Sequence, residues 1–551
     1  MTDSLKTSRI RATSLGDMLL SAADQYPDSL AVVLPEERIS YAQLAADSMQ
    51  VARSLRALGV QSGDHVGVYL PTCSEFLVAM FGASLLGAVV VSVNARYQPQ
   101  EIAYVVENAD IKVMLSSNKF IENVDLLGRI AEALGATDTD TDGGKNLSLA
   151  QFPHLNAVVS LSGDAVPGTV DRAEFDALAQ EVDEDDVHLA RLQIRLGSPA
   201  LMLYTSGTTA NPKGCMISHE SMVRSSIALG NRYQLTQPDK FWSPLPMFHI
   251  AAILPLIAIF DVGGTYLTAE HFEPGAALRM LEEEQVTVTY PCFWVIMGDL
   301  VQHPDFPKRD LSSIRLMNAN FAVQPAMVAE SMEAAMPDTV YVGTFGMTET
   351  AGTVATGRIA DTREQRFTRL GEPMPGLEVK IINAETGEEA PTGEQGECLI
   401  RGYSTFLEYY KSPEKTAEAL DDEGWFHSGD ICSVDADGQL LFHGRLKDML
   451  KVGGENVAAA EIEACLQQHD AVQLAQVIGV PDPRYQEVAA AFIELNEGAT
   501  TDEATLIAHC KERMASFKVP RYVRFVTEWP MSSTKIQKFK LADLLDLDGQ
   551  G

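Results

Sequence analysis

The stretch Tyr204-Thr205-Ser206-Gly207-Thr208-Thr209-Ala210-Asn211-Pro212-Lys213-Gly214 gathers hydroxyl side chains, two glycines and one lysine between the apolar runs 199–204 and 214–219. A loop of this composition packs no core. It suits an anion. Glycine lets backbone N–H groups come close, and the hydroxyls of Thr205, Ser206, Thr208 and Thr209 add donors. Lys213 adds a mobile positive charge of the kind a polyphosphate needs. A hydroxyl-rich surface turn is the bland alternative; the density of donors beside Pro-Lys-Gly favours phosphate. The order does not fit the G-x-x-x-x-G-K-[ST] pattern, so a P-loop NTPase is disfavoured.

A second stretch, Gly343-Thr344-Phe345-Gly346-Met347-Thr348-Glu349-Thr350, has similar means. Gly346 permits close approach of a ligand. Thr348 can donate to a phosphate, and Glu349 offers an oxygen to Mg²⁺, which takes few carboxylates and shares phosphate oxygens. The same residues read equally well as a strand end with Thr-Glu capping a helix. Asp430, in the Gly429-Asp430 pair, taken alone reads as a buried turn carboxylate that caps backbone N–H groups. His249 ends an irregular segment containing Pro244 and Pro246 and, taken alone, reads as a packed structural histidine.

These stretches, in this order, resemble the adenylate-forming (AMP-binding) superfamily, in its acyl-CoA synthetase and fatty-acid–CoA ligase branch. The resemblance runs from about residue 14 to 541. It implies ATP, Mg²⁺ and CoA. A carboxylate attacks the α-phosphorus of ATP to give acyl-AMP and pyrophosphate, and the acyl group then passes to the CoA thiol. Carried over residue by residue, Thr205, Ser206, Gly207, Thr208, Thr209 and Lys213 bind the β- and γ-phosphates. Thr344 and Phe345 lie along the nucleotide, Phe345 standing for the usual tyrosine. Thr348 meets the α-phosphate and Glu349 the metal. Asp430 and Arg445 take the ribose, and Lys447 is the hinge. Gly453 and Gly454 line the pantetheine tunnel. Lys535 is the lysine of anhydride formation, although Thr534 replaces the usual glycine before it; Lys538 and Lys540 read as solvated. His249 gates the acid, with Ile250, Phe321, Gly346 and Met347 beside it.

One departure stands out. Asn318-Ala319-Asn320-Phe321-Ala322-Val323 occupies the place of a Gly-Gly-Ala-Pro turn beside the adenine, so Asn320 and Phe321 replace two glycines. A phenyl ring there is expected to fill volume between the adenine and acyl pockets. With Phe248, Ile250, Phe345 and Met347, it suggests an apolar acid, although methionine and aromatics at these positions read equally as ordinary core. The other readings are an adenylation enzyme that loads a carrier protein and a luciferase-like adenylating oxygenase. No carrier domain follows Gly551 and no aspartate stands ready for an amino group, which disfavours the first; the second is rare in the superfamily.

The elements that must position these residues read as alternating helix and strand. Residues 14–26, 40–58 and 74–86 have helical spacing, with Ser40 as a cap, and 31–34, 64–70 and 88–93 read as strands. Such β-α-β alternation implies a parallel sheet covered on both faces. Residues 137–146 form one low-complexity patch, read as a surface loop. The expected architecture is α/β: a large N-terminal multi-layer domain with a β subdomain, 1–444, and a small mobile C-terminal α+β lid, 445–551, hinged at 445–448.

Composition sets the outer bounds. A chain of 551 residues is too long for one domain. Its net charge of −34 argues against nucleic-acid partners and anionic membranes. The seven cysteines contain no Cys-x-x-Cys pair, which suits reduced thiols in a cytoplasm. The apolar run 250–260 is too short to span a bilayer, and 76–93 is interrupted by Gly82 and Gly87, so no integral membrane segment is expected. The N-terminus lacks an apolar signal core, and the C-terminus is no peroxisomal address. A homodimer stays open as the oligomeric form.

Overall fold

The structure is a computed structural model that describes residues 13–118, 124–135, 144–163, 166–205, 212–323, 326–384, 386–452, 455–482, 484–514, 516–531 and 536–545. The chain forms two compact units, residues 1–378 with 400–426, and residues 379–399 with 427–551.

In the first unit the expected alternation is realised. Helix Leu15–Gln25 starts where the Ser14 hydroxyl accepts from the Asp17 N–H at 3.2 Å, and it buries Leu15, Met18, Leu19 and Ala22. Helix Tyr41–Ala57 is capped in the same way by Ser40. Strands His65–Tyr69 and Val89–Val93 flank helix Ser74–Leu85 and pair in parallel. Every residue of both strands is buried, as a sheet covered on two faces requires. They belong to a seven-stranded sheet in the order Glu408–Tyr409, Lys213–Ser218, Pro199–Thr205, Val89–Val93, His65–Tyr69, Ile111–Ser116, Ala157–Ser160. A second seven-stranded sheet runs Val340–Val342, Leu316–Asn318, Val288–Thr289, Lys240–Trp242, Thr265–Leu267, Leu30–Val33, Arg38–Ser40, parallel except at its last pair. The apolar run at 250 is a buried helix, Ile250–Asp261, which includes Pro255.

The second unit holds a four-stranded sheet, ordered Leu377–Ile382, Gly396–Gly402, Phe426–Val434, Leu440–Arg445, two of whose strands enter from the first unit. A five-stranded sheet follows, with helices Ala459–Leu466 and Glu503–Lys511. Their side chains share one core, including Leu450, Ile462, Val477, Ile493 and Leu506. The hinge expected at 445–448 falls inside this unit, on the single turn Leu446–Asp448 between its two sheets. Most of the low-complexity patch at 137–146 lies outside the described residues. No helix among the described residues is long and apolar enough to cross a membrane.

Candidate active site

Strand Pro199–Thr205 returns as Lys213–Ser218, with Thr205 and Lys213 as cross-strand partners. Ser206, Gly207, Thr208 and Thr209 lie outside the described residues, but both ends of their loop are fixed. Close packing sets one end: a Cβ on Gly214 would stand 2.8 Å from the Met202 sulfur. Lys213 Nζ lies 3.9 Å from the centroid of the Tyr409 ring.

The second motif is a hairpin that the sequence reading did not foresee. Strand Thr344–Met347 passes into the turn Thr348–Thr350, and strand Gly352–Thr356 comes back antiparallel. Gly346 is glycine because of this hairpin: a Cβ there would meet the Gly352 carbonyl oxygen at 1.8 Å. The close approach of the Gly352 backbone accounts for the glycine, and Gly346 itself lies exposed on the hairpin. Thr348 and Glu349 sit at the tip. Among the described residues, nothing hydrogen-bonds to the Thr348 hydroxyl. The Tyr409 hydroxyl donates to Glu349 Oε1 at 2.8 Å. Burial, and then the negative charge of Glu349, push the Tyr409 phenol well above its usual range, so it remains a donor.

Thr344 is held from below. The Asn318 side-chain amide donates to its hydroxyl at 2.6 Å and to the Tyr233 hydroxyl at 2.9 Å. Thr356 Oγ1 lies 2.9 Å from Thr344 Oγ1. The Thr344 N–H donates to Asn320 Oδ1. Asn320 has φ +52°, the left-handed region that asparagine tolerates better than most side chains. This explains how asparagine stands in for glycine at the departing turn. Phe345 is buried.

His249 is the half-buried N-cap of helix Ile250–Asp261, its ring 4.7 Å from that of Phe248. Ile250 is buried and Met347 half-buried. Phe321 is placed otherwise than expected. Its ring centroid lies 4.9 Å from those of both Tyr341 and Phe367, within the core that contains Val328 and Met332. The new side chain is taken up by core packing.

In the second unit, Asp430 lies in strand Phe426–Val434, not in a turn, and faces Arg445 across the strand pair. Arg445 Nε is 3.0 Å from Asp430 Oδ1; the carboxylate is buried and the guanidinium half exposed. The preceding Gly429 takes φ +66°, which lets the strand bend there. Lys447 belongs to the turn Leu446–Asp448. Gly453, Gly454 and Lys535 lie outside the described residues. Met531 and Ile536, which flank Lys535, form an antiparallel bridge. Lys538 is not solvated: it pairs with Glu463 at 2.5 Å, anchoring the segment just after Lys535.

A family profile described as AMP-binding enzyme matches residues 19–410, and another, AMP-binding enzyme C-terminal domain, matches 461–535. The chain belongs to the AMP-binding enzyme family. It is 33% identical over 539 residues to a putative acyl-CoA synthetase, YngI, of Bacillus subtilis, covering 96% of this chain and 97% of that one. It is 30% identical over 550 residues to the mitochondrial medium-chain acyl-CoA ligase ACSF2 of Danio rerio, covering 98% and 89%. The solved structure of the anthranilate CoA ligase AuaEII in complex with anthranoyl-AMP has a TM-score of 0.83 at 28% identity, covering 96% and 97%. Within this AMP-binding enzyme, sequence reasoning missed Tyr409, Asn318 and Tyr233. A Tyr409-Tyr410 pair just before the Pro413 helix start was the only signal for the first; Asn318 stood at the head of the departing turn without a role being read for it, and Tyr233 had no signal.

Proposed function

We propose that the chain is an ATP-dependent acyl-CoA synthetase, an acid–thiol ligase that forms acyl-AMP and pyrophosphate and then an acyl-CoA thioester. The observation that carries this reading is that the cation of one motif and the carboxylate of the other, Lys213 and Glu349, meet on the same Tyr409 side chain. Such a site gathers charge around a polyphosphate. The names of the relatives favour CoA over a carrier protein, and over oxygen chemistry, as the second step. The medium-chain ligase is in keeping with an apolar acid.

In the first step an oxygen of the substrate carboxylate attacks the α-phosphorus. The bond from that phosphorus to the bridging oxygen breaks, and pyrophosphate leaves with the electron pair. In the second, the CoA thiol, having given its proton to solvent, attacks the acyl carbon through sulfur; the bond from that carbon to the phosphate oxygen breaks, and AMP leaves with the electron pair. Little covalent work falls to the protein; position and charge do the rest. The loop 205–209 and Lys213 bind the β- and γ-phosphates, and the Thr348 hydroxyl donates to the α-phosphate. Thr344 and Phe345 lie against the base, and Asp430 with Arg445 takes the ribose. His249, Ile250 and Met347 border the acid.

Glu349 fits a magnesium ion: one oxygen is held by Tyr409, and among the described residues nothing else donates to the carboxylate. Bound there, the ion neutralises phosphate charge. Residues from 445 onward form the lid. Turning at Lys447, it exchanges Lys535, which serves the anhydride step, for Gly453 and Gly454, which admit pantetheine. A cytoplasmic location is supported by seven free, buried thiols. A homodimer stays part of the proposal, to be read by light scattering. ATP–pyrophosphate exchange over a panel of carboxylic acids tests the main reading. Exchange that depends on an apolar acid is expected; exchange with no acid in the panel, or only with amino acids, contradicts it.

A further inference from the structure

Tyr409 is fixed more firmly than either group it touches. It lies at the edge of the seven-stranded sheet, and its strand is zipped to the one that leaves the phosphate loop. The Leu407 N–H donates to the Met216 carbonyl and the Tyr410 N–H to the Gly214 carbonyl, each at 2.8 Å. The Tyr409 N–H donates to Thr416 Oγ1 at 3.0 Å, and its ring packs 4.6 Å from that of Phe406. The residue is 4% exposed. Phe406 donates its own N–H to the Glu349 carbonyl at 2.8 Å, tying the hairpin tip to the same edge.

Glutamate and lysine are the opposite kind of side chain. Both are long, and ordering each costs rotamer entropy. One rigid ring orders both here, the hydroxyl directing Glu349 and the π face carrying the Lys213 ammonium. Tyr409 holds Glu349 through Oε1, and among the described residues no hydrogen bond is made to Oε2. We propose that Tyr409 is a positioning residue for adenylation, holding the metal-binding carboxylate and the phosphate-binding ammonium in one geometry before ATP arrives. This rests on the roles given to Glu349 and Lys213 above.

The two contacts separate by substitution. Tyr409→Phe keeps the ring under Lys213 and removes the donor to Glu349. Tyr409→Leu removes both. Mn²⁺ is titrated into the enzyme with ATP but without acid, and free Mn²⁺ is read by electron paramagnetic resonance. ATP binding in EDTA is measured separately by calorimetry. Circular dichroism and melting confirm that each variant is folded. Tyr409→Phe is expected to weaken Mn²⁺ binding by about 10-fold, the scale seen when a group orienting a metal ligand is lost, with metal-free ATP binding unchanged. Tyr409→Leu is expected to weaken both, the metal-free ATP binding by about threefold or more. Glu349→Gln is the reference. If Glu349→Gln loses Mn²⁺ affinity and folded Tyr409→Phe keeps it, the inference is overturned and the metal reading stands. If Glu349→Gln binds Mn²⁺ as the parent does, the metal reading itself falls.

Discussion

Phe321 packs at a tilt against Tyr341 with ring centroids 4.9 Å apart, and Tyr341 is in turn locked by its hydroxyl to the Met332 carbonyl at 2.8 Å. A ring in this position stabilises the fold. Phe321→Ala is expected to cost about 3–5 kcal/mol, as for other buried phenyl groups, read from urea unfolding. The milder Phe321→Leu, still folded, is expected to keep the parent's order of preference among acids of graded size. A changed order would give the ring a pocket role that its packing does not suggest.

Asp430 meets Arg445 with its carboxylate buried and the guanidinium half exposed. An ion pair with one exposed partner adds little stability. Asp430→Asn should therefore melt near the parent. If the carboxylate accepts ribose hydroxyls, the variant loses charged hydrogen bonds, and KM for ATP rises about 10–100-fold. With 3′-deoxyATP the gap between parent and variant should narrow. Equal KM values for ATP would remove Asp430 from the nucleotide site.

His219 ties the N-terminal helix to the first unit, because its Nδ1 accepts the Leu15 N–H at 3.1 Å. Acceptance requires a neutral ring, and burial lowers the pKa from 6.5 to about 4. As pH falls below 6.5 the unfolded chain takes up the proton first. Stability from this group is full above that pH and is lost as pH falls toward and through 4, a total of roughly 3 kcal/mol. Urea midpoints at pH 7 and pH 5 should therefore differ more for the parent than for His219→Gln. Identical pH dependence in the two proteins would show that His219 is not the group responsible.

The lid residues divide the half-reactions. Lys535→Ala is expected to abolish acyl-AMP formation yet convert supplied acyl-AMP and CoA to thioester. Gly454→Trp should do the reverse, releasing pyrophosphate but making no thioester. Normal adenylation by the first variant would move the lysine role elsewhere, although Lys538 is already engaged by Glu463.

What could be read in advance follows the range of each interaction. Ser14 and Ser40 cap their helices within three residues, and the valine run at 89–93 needs no distant partner to be read as a buried strand. The phosphate loop and the Thr348-Glu349 motif are local in the same sense. The hairpin that makes Gly346 necessary depends on Gly352 approaching from the next strand, and a short Gly-rich stretch does not announce its register. Tyr409 owes its role to Glu349 and Lys213, both far away in the chain. Phe321 shows a different limit. Its alignment with a glycine marks the place of a new ring, but only the surrounding core decides which way that ring turns.

The central claim is that one site joins adenylation to thioester formation. A single reaction with ATP, Mg²⁺, CoA and a favoured apolar acid, followed by mass spectrometry of all products, tests it most directly. The account predicts AMP, pyrophosphate and acyl-CoA in equal amounts, with acyl-AMP accumulating when CoA is withheld. ADP and phosphate in place of AMP and pyrophosphate, or acyl-AMP that never passes to CoA, would contradict it.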